Sequence, residues 1–507
     1  MNLRTALTLC CATTVANSAL AQRVSVDPFV AAGVTWTNNA NLAPSPNAES
    51  DVILEVSPGI AFSVQGERLK VLGTLILDGL YYVEGNQRDR ILPYANVDGN
   101  YEVLRDFLYL SGGVVTYRTA ENPFAIRSIG PTTDNIFTTS QYRISPYIES
   151  TIGREVRYGV RSDNIWTHNS GGETTSVSDG YLTLNRAYID RTPLPLGGGL
   201  SVEYQKSGYD DSNLEGLTQT LVRGAVRFGF ATNGWVGVRG GYEDVEYATT
   251  DESGPIYGIE FSWKPGPRTS FEGFWEHRFF GSAWQAALNW GGVRSALNLT
   301  ASRKLSTYSE QLFYTPASNV AQSLDAALST QIVDPLERAR EVRNIFSNRG
   351  LSTSLPRAVD IYQTQVNLLS DVNVTASSSL PRTSVALTGY YRKTVPAPGF
   401  QALVAPGPGT LPGVASTNSE QFGASFNAGY LLSPLLAING LAAWTRIEGI
   451  NDSPAITSTQ MSYRLALIRQ LSPRTAGNIG VRFQTLSSDI QADTRETAAF
   501  VGILHRF

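Results

Sequence analysis

The chain has 507 residues, a formal charge of −4, 42% hydrophobic residues and 17% charged ones. That balance offers no basic surface to nucleic acid, so no such partner is expected. Cys10 and Cys11 are the only two cysteines, which excludes a disulfide framework and a multi-thiolate metal site.

Met1–Arg4 is a short basic start and Thr5–Ala16 a largely apolar stretch, and Ala19-Leu20-Ala21 has the small-x-small form of a cleavage site. This predicts a secretory signal peptide over 1–21, with both cysteines inside it, and a single domain over 22–507. Beyond the signal, no apolar run approaches the roughly 20 residues a spanning helix needs.

Alternation then dominates. In VSVDPFVAAGVTW (24–36), Val24, Val26, Val30, Ala32, Val34 and Trp36 share one side. In 69–82, Leu69, Val71, Leu75, Leu77 and Tyr81 do the same. In 221–230, Val222, Val226, Phe228 and Phe230 oppose Arg223, Ala225 and Arg227. In 460–471, Met461, Tyr463, Leu465 and Leu467 oppose Ser462, Arg464 and Ala466. Period two marks strands.

The connections between these strands alternate as well. Tight links fall at Gly66-Glu67, Arg105-Asp106, Gly153-Arg154, Thr232-Asn233 and Ser472-Pro473, among others. Longer polar ones fall at 37–50, 120–136, 169–178, 208–215 and 249–254. Turns at one end and loops at the other, on strands longer than the usual soluble ones, predict an all-β fold: a transmembrane antiparallel up-and-down β-barrel. The strand number should be even and about 22, within a range of roughly 16–22. The section 255–304 is ambiguous, because Gly291-Gly292 reads as a turn or a bulge. Several soluble sandwich domains would also alternate, yet no Pro/Gly-rich linker recurs at domain spacing.

Two segments interrupt the rhythm. Segment 306–358 contains 321–346, a helix pair broken at Asp334-Pro335 that carries Arg338, Arg340 and Arg343. It either folds into the lumen as a partial plug or caps the barrel from outside. Pro396–Thr417 is a turn-rich outer loop.

An Arg or Lys facing lipid at mid-depth costs about 2–4 kcal/mol. Arg223, Arg227, Arg239 and Glu243, and the three arginines of the interrupting segment, are therefore the lumen and selectivity candidates. The plainer role for each is to hydrate and salt-bridge the interior. Lys304 ends a strand beside the large loop. Tyr81, Tyr82, Trp235, Tyr242 and Trp444 read as girdle or wall aromatics, which can also stack on sugar rings. His168, His277 and His505 are scattered, and neither HExxH, GxSxG nor Walker A is present. No metal, cofactor or catalytic residue is expected. A lipid-hydrolysing barrel would have to draw on His168 with Ser162 or Ser170.

The stretch 37–82, through Asn38-Asn39, Asp51, Glu55, Pro58-Gly59 and the Leu/Val strand after Arg68, resembles a family of outer-membrane β-barrel proteins. That family is associated with the PEP-CTERM sorting and exopolysaccharide system of Gram-negative bacteria. The resemblance implies residence in the cell outer membrane, with lipid, the insertion machinery and polysaccharide or exported-protein components as partners. It also implies that Phe507, closing the alternating stretch ETAAFVGILHRF (496–507), is an assembly signal. The function expected first is a porin-like or export-associated barrel passing small solutes or glycans. A non-conducting structural or docking barrel comes second, and a lipid hydrolase third.

Overall fold

The computed structural model describes residues 23–507, apart from 86, 121–123, 127–135, 171–177, 212–215, 232, 248–249, most of 315–365, 399–417, 451–455 and 490–491. The signal segment 1–21, Arg340 and Arg343 lie outside the described residues.

Twenty-two strands form one antiparallel sheet. They begin with β1 (Arg23–Thr37), β2 (Asp51–Gln65), β3 (Leu69–Tyr82), β4 (Arg90–Leu104), β5 (Leu108–Ala120), β6 (Ile136–Ile152) and β7 (Val156–Ser170). Next come β8 (Gly180–Arg191), β9 (Leu196–Tyr209), β10 (Leu217–Ala231), β11 (Gly234–Tyr247), β12 (Thr250–Gly266), β13 (Thr269–Arg278), β14 (Gly281–Gly291) and β15 (Ser295–Ser306). The last seven are β16 (Asn367–Ser379), β17 (Thr383–Pro396), β18 (Ser419–Ser433), β19 (Leu436–Gly449), β20 (Thr457–Ser472), β21 (Thr475–Ser488) and β22 (Thr494–Arg506).

Each strand pairs with its neighbours in sequence, and β22 returns to β1 from Phe29↔Arg506 to Thr37↔Ala498. The sheet is therefore a closed barrel. Closure leaves no strand edge to expose unpaired amides in hydrocarbon, where each would cost several kcal/mol. The seam is reinforced by side chains. Glu496 accepts from Thr37 Oγ1 at 2.9 Å and from Arg482 Nε at 3.1 Å, and both its side chain and that of Arg482 are buried.

The register assigns every side chain to one of two faces. Outward are Val226, Phe228, Val238 and Ile259, each more than half exposed, together with the odd-numbered residues of 497–505. Inward on the same strands are Arg223, Arg227, Arg239 and Glu260. An apolar outside and a polar inside make this a barrel of the Gram-negative outer membrane. Among the described residues, no helix is long and apolar enough to cross a membrane.

Three sequence expectations are corrected. Residues 250–254 are not loop: β12 starts at Thr250 and pairs with β11 from Tyr247↔Thr250 onward. Their polarity reflects a hairpin top carrying Asp251 and Glu252, both exposed. Trp235 is not a girdle residue. It lies opposite Gly229 on the inward face, with the Arg227 guanidinium 4.7 Å from its ring centroid. Tyr82 is likewise turned inward and is buried against Ile53, Leu80 and Leu92. Tyr81, Tyr242 and Trp444 do lie on the outer face. The ambiguous section 255–304 contains β13 and β14, the shortest strands of the sheet, and Gly291 ends β14 ahead of a turn.

Candidate functional site

From β8 to β13 the inward face carries a continuous set of ion pairs. Arg223 grips Glu276 through Nε at 2.8 Å and a second nitrogen at 3.2 Å. Arg239 Nε approaches the same carboxylate at 2.9 Å and reaches Glu260 at 3.5 Å. Arg227 bridges Glu260, at 2.5 Å, and Asp190. Higher on the wall, Arg278 holds Glu243 through Nε at 2.8 Å, and the other Glu243 oxygen accepts the Phe279 backbone N–H at 2.9 Å. Glu243 thereby fastens the β13–β14 turn. Four arginines and four carboxylates take part, so their formal charge cancels.

These bonds span more than adjacent strands. Arg223 on β10 reaches β13, and Arg227 on β10 reaches both β8 and β12. The register explains how. Arg227 faces Gly237 across the ladder, Arg223 faces Gly241 and Arg239 faces Gly258. With hydrogen in place of a side chain there, each arginine can lie flat along the wall. A Cβ at Gly237 would sit 2.9 Å from Arg227 Cγ and 2.8 Å from the Val226 carbonyl oxygen. Aromatic faces support the layer: Arg239 lies 4.5 Å from the Phe274 centroid, alongside the Arg227–Trp235 contact.

A second inward feature begins directly after β15. Helix α1 (Tyr308–Tyr314) leaves the wall and packs near β8. Tyr308, Ser309 and Glu310 are all buried. Tyr308 Oη and Thr139 Oγ1 of β6 are 3.2 Å apart, and Gln141 Nε2 donates to the Ser309 carbonyl at 3.3 Å. Glu310 is held from both sides, by Lys304 Nζ at 2.6 Å and Gln205 Nε2 of β9 at 3.0 Å. Thr139, Gln141, Gln205 and Lys304 all project inward by register. Sequence reasoning placed helix only over 321–346, and Leu324, Leu328, Arg338, Glu341 and Val342 there are helical. Arg338 donates to the Ile332 carbonyl at 3.0 Å. Helix α1 was nevertheless legible: Thr307-Tyr-Ser-Glu310 has the S/T-x-x-E form of a capping box.

The wall from β16 to β22 is different. Its inward face is lined by Thr375, Ser377, Thr388, Ser425, Asn427, Asn439, Ser462 and Gln484. Asn439 Nδ2 donates to Asn427 Oδ1 at 2.8 Å, and Thr388 and Ser425 hydroxyls meet at 2.6 Å, both between adjacent strands, while Ser458 Oγ of β20 donates to the Phe124 carbonyl at 2.7 Å. Charge on the inward face of these strands is confined to the Asp371–Arg392 pair, the Arg482–Glu496 pair, Arg464, and Arg506 at the end of β22.

Of the four wall residues picked from sequence, Arg223, Arg227 and Arg239 share one chain of ion pairs, Glu243 forms a separate pair with Arg278, and Arg338 lies on the interrupting segment. Their partners Asp190, Glu260, Glu276 and Arg278 were missed. Inward parity alone would have flagged them as charges, but not as mates. The histidine readings separate: His168 Nδ1 lies 2.6 Å from Asp179 Oδ2 at the loop end of β7, while Ser162 sits six residues back along the same strand. Among the described residues, no group of three or more His, Cys, Asp or Glu side chains is disposed to hold a metal ion.

No family model matches the chain, and no curated protein does. Among solved structures it is similar to the apoprotein form of the FrpB iron transporter from Neisseria meningitidis, with 9% identity and a TM-score of 0.47. That likeness covers 95% of this chain and 81% of that one. The siderophore receptor PiuA from Acinetobacter baumannii gives 7% identity, a TM-score of 0.46, and coverage of 95% and 82%. An anion-selective porin from Comamonas acidovorans gives 10%, 0.35, and coverage of 96% and 100%. At these scores the likenesses carry no weight for cargo or mechanism.

Proposed function

We propose that the chain is a solute channel of the outer membrane, constricted from within by the segment 306–358. The observation that carries this reading is the inward anchoring of α1, with Glu310 held between Lys304 and Gln205 and Tyr308 against Thr139. A surface cap would have no reason to bury those polar groups against the inward faces of β6 and β9. The wall supports a wet bore as well, since its interior is hydroxyl, amide and paired charge. Small solutes are the cargo class this favours. Glycans, and a link to PEP-CTERM and exopolysaccharide traffic with its components as partners, rest on the sequence resemblance of 37–82 alone.

The test is conductance of the purified full chain in planar bilayers, beside a variant in which 307–366 is replaced by a short Gly/Ser linker. The expected result is a low wild-type conductance that rises several-fold on deletion. A silent wild type and a silent deletion variant, both folded, would overturn the channel. They would favour a docking barrel with a sealed interior instead. Phe507 acts here as the assembly signal: its removal should lower the yield of inserted barrel and leave the conductance of the molecules that do insert unchanged.

A further inference from the structure

Apart from Arg506 at the end of β22, Arg464 is unlike the other inward wall arginines described above, which are ion-paired. It projects inward from β20, opposite Leu441 on β19 and directly opposite Arg482 on β21. Like charges facing one another across a ladder repel. The carboxylate that could relieve both is already saturated. Glu496 takes two nitrogens of Arg482, the Thr37 hydroxyl and the Gln484 amide. Among the described residues, no carboxylate stands within 4.0 Å of Arg464 and none of its guanidinium N–H groups has a protein acceptor. Glu55 on β2 acts on it only as a more distant charge, and Glu55 Oε1 already accepts from Ser57 at 3.3 Å.

What holds Arg464 is a ring. Its guanidinium carbon lies 4.7 Å from the Phe500 centroid, and Phe500 is inward on β22, opposite Gly480. A Cβ at Gly480 would come within 2.4 Å of that ring, so the glycine is what admits it. Contact with an aromatic face engages the flat side of a guanidinium and leaves the in-plane N–H fork available.

We propose that Arg464, with Arg482 beside it, is an oxyanion-binding position on the lumen wall, taking a carboxylate or phosphate group by a bidentate contact to the fork. This rests on the channel reading only in requiring that small anions reach the lumen. Phe500 orients the fork, and Arg482, held by Glu496, stands opposite it across the ladder.

The test is equilibrium binding to the full chain in detergent, so it does not depend on conductance. Potassium phosphate and potassium glucuronate are titrated separately against potassium chloride at matched ionic strength, with tryptophan fluorescence and the thermal unfolding midpoint as readouts. Wild type should show saturable binding of at least one of the two probes, and which one responds tells phosphate from carboxylate. Arg464→Gln should lose it, and Arg464→Lys, which keeps the charge but not the fork, should weaken it about tenfold. Equal binding by wild type and Arg464→Gln, or no binding of either probe by wild type, overturns the site. Should Arg464→Gln fail to fold, unchanged affinity in Arg464→Lys overturns the bidentate contact. A silent bilayer with intact phosphate or glucuronate binding would sink the channel and leave the site standing.

Discussion

Between β8 and β13 the bore is lined by Arg223, Arg227, Arg239, Glu260 and Glu276; between β16 and β22, by Asn427, Asn439, Ser425, Thr388 and Ser462. Both linings are polar, yet they differ in reach. The charged stretch ties strands two and three places apart through long side chains lying over glycines. On the neutral stretch, the Asn427–Asn439 and Thr388–Ser425 contacts each tie adjacent strands, with short amides and hydroxyls. A wall braced across several strands resists ovalisation of the bore, whereas one stitched pair by pair can flex locally. The charged stretch is also intolerant of loss, because a buried charge without its mate is far costlier than a missing neutral hydrogen bond.

That contrast can be broken in four graded steps, each read as a change in unfolding free energy from guanidinium titration in detergent. Glu276→Ala should do most. It strands Arg223 and leaves Arg239 only its longer 3.5 Å approach to Glu260, for an expected loss of about 3–5 kcal/mol. Gly237→Val comes next, because its side chain meets the Val226 carbonyl and Arg227; overpacking of this kind costs about 1–3 kcal/mol. On the neutral side, Asn439→Ala should lose only about 1 kcal/mol, and a loss as large as that of Glu276→Ala would erase the distinction drawn here. Smallest is Arg464→Gln in chloride buffer, expected within about 0.5–1 kcal/mol of wild type, since the substitution leaves no ion-pair partner stranded and gives up only the Phe500 contact.

Much of the wall was legible in the sequence for one physical reason: lipid on one side and water on the other force period two. Val222, Val226, Phe228 and Phe230 declare the outer face of β10, and Arg223 and Arg227 follow as inner by parity alone. The same logic misled at Thr250–Gly254, because polarity on both faces is the mark of water, and a strand that rises out of the apolar belt meets water on both faces. Trp235 kept two readings, girdle or wall, because an aromatic near a strand end suits both a girdle and an arginine stack, and its register opposite Gly229 decides for the inner wall. The mates Glu260 and Glu276 could not be read at all. Their pairing depends on which side chains lie flat across intervening glycines, and strand order alone does not encode that. Helix α1 is harder to read for a different reason: seven residues are too few for periodicity to register, and the S/T-x-x-E form of Thr307–Glu310 is the one sequence sign of it.

The β1–β22 seam has a consequence in time. Every other strand pair joins neighbours along the chain and can form as soon as both are present. The seam joins residues far apart along the chain, Thr37 and Glu496 being 459 positions from one another, so of all the strand pairs it carries the largest loop-closure entropy. Until it forms, β1 and β22 are two free edges, of the kind that recruit strands from other chains. Glu496 then reads the register of the closed seam: only a correctly registered β1 brings the Thr37 hydroxyl to a carboxylate that Arg482 and Gln484 already hold from β21.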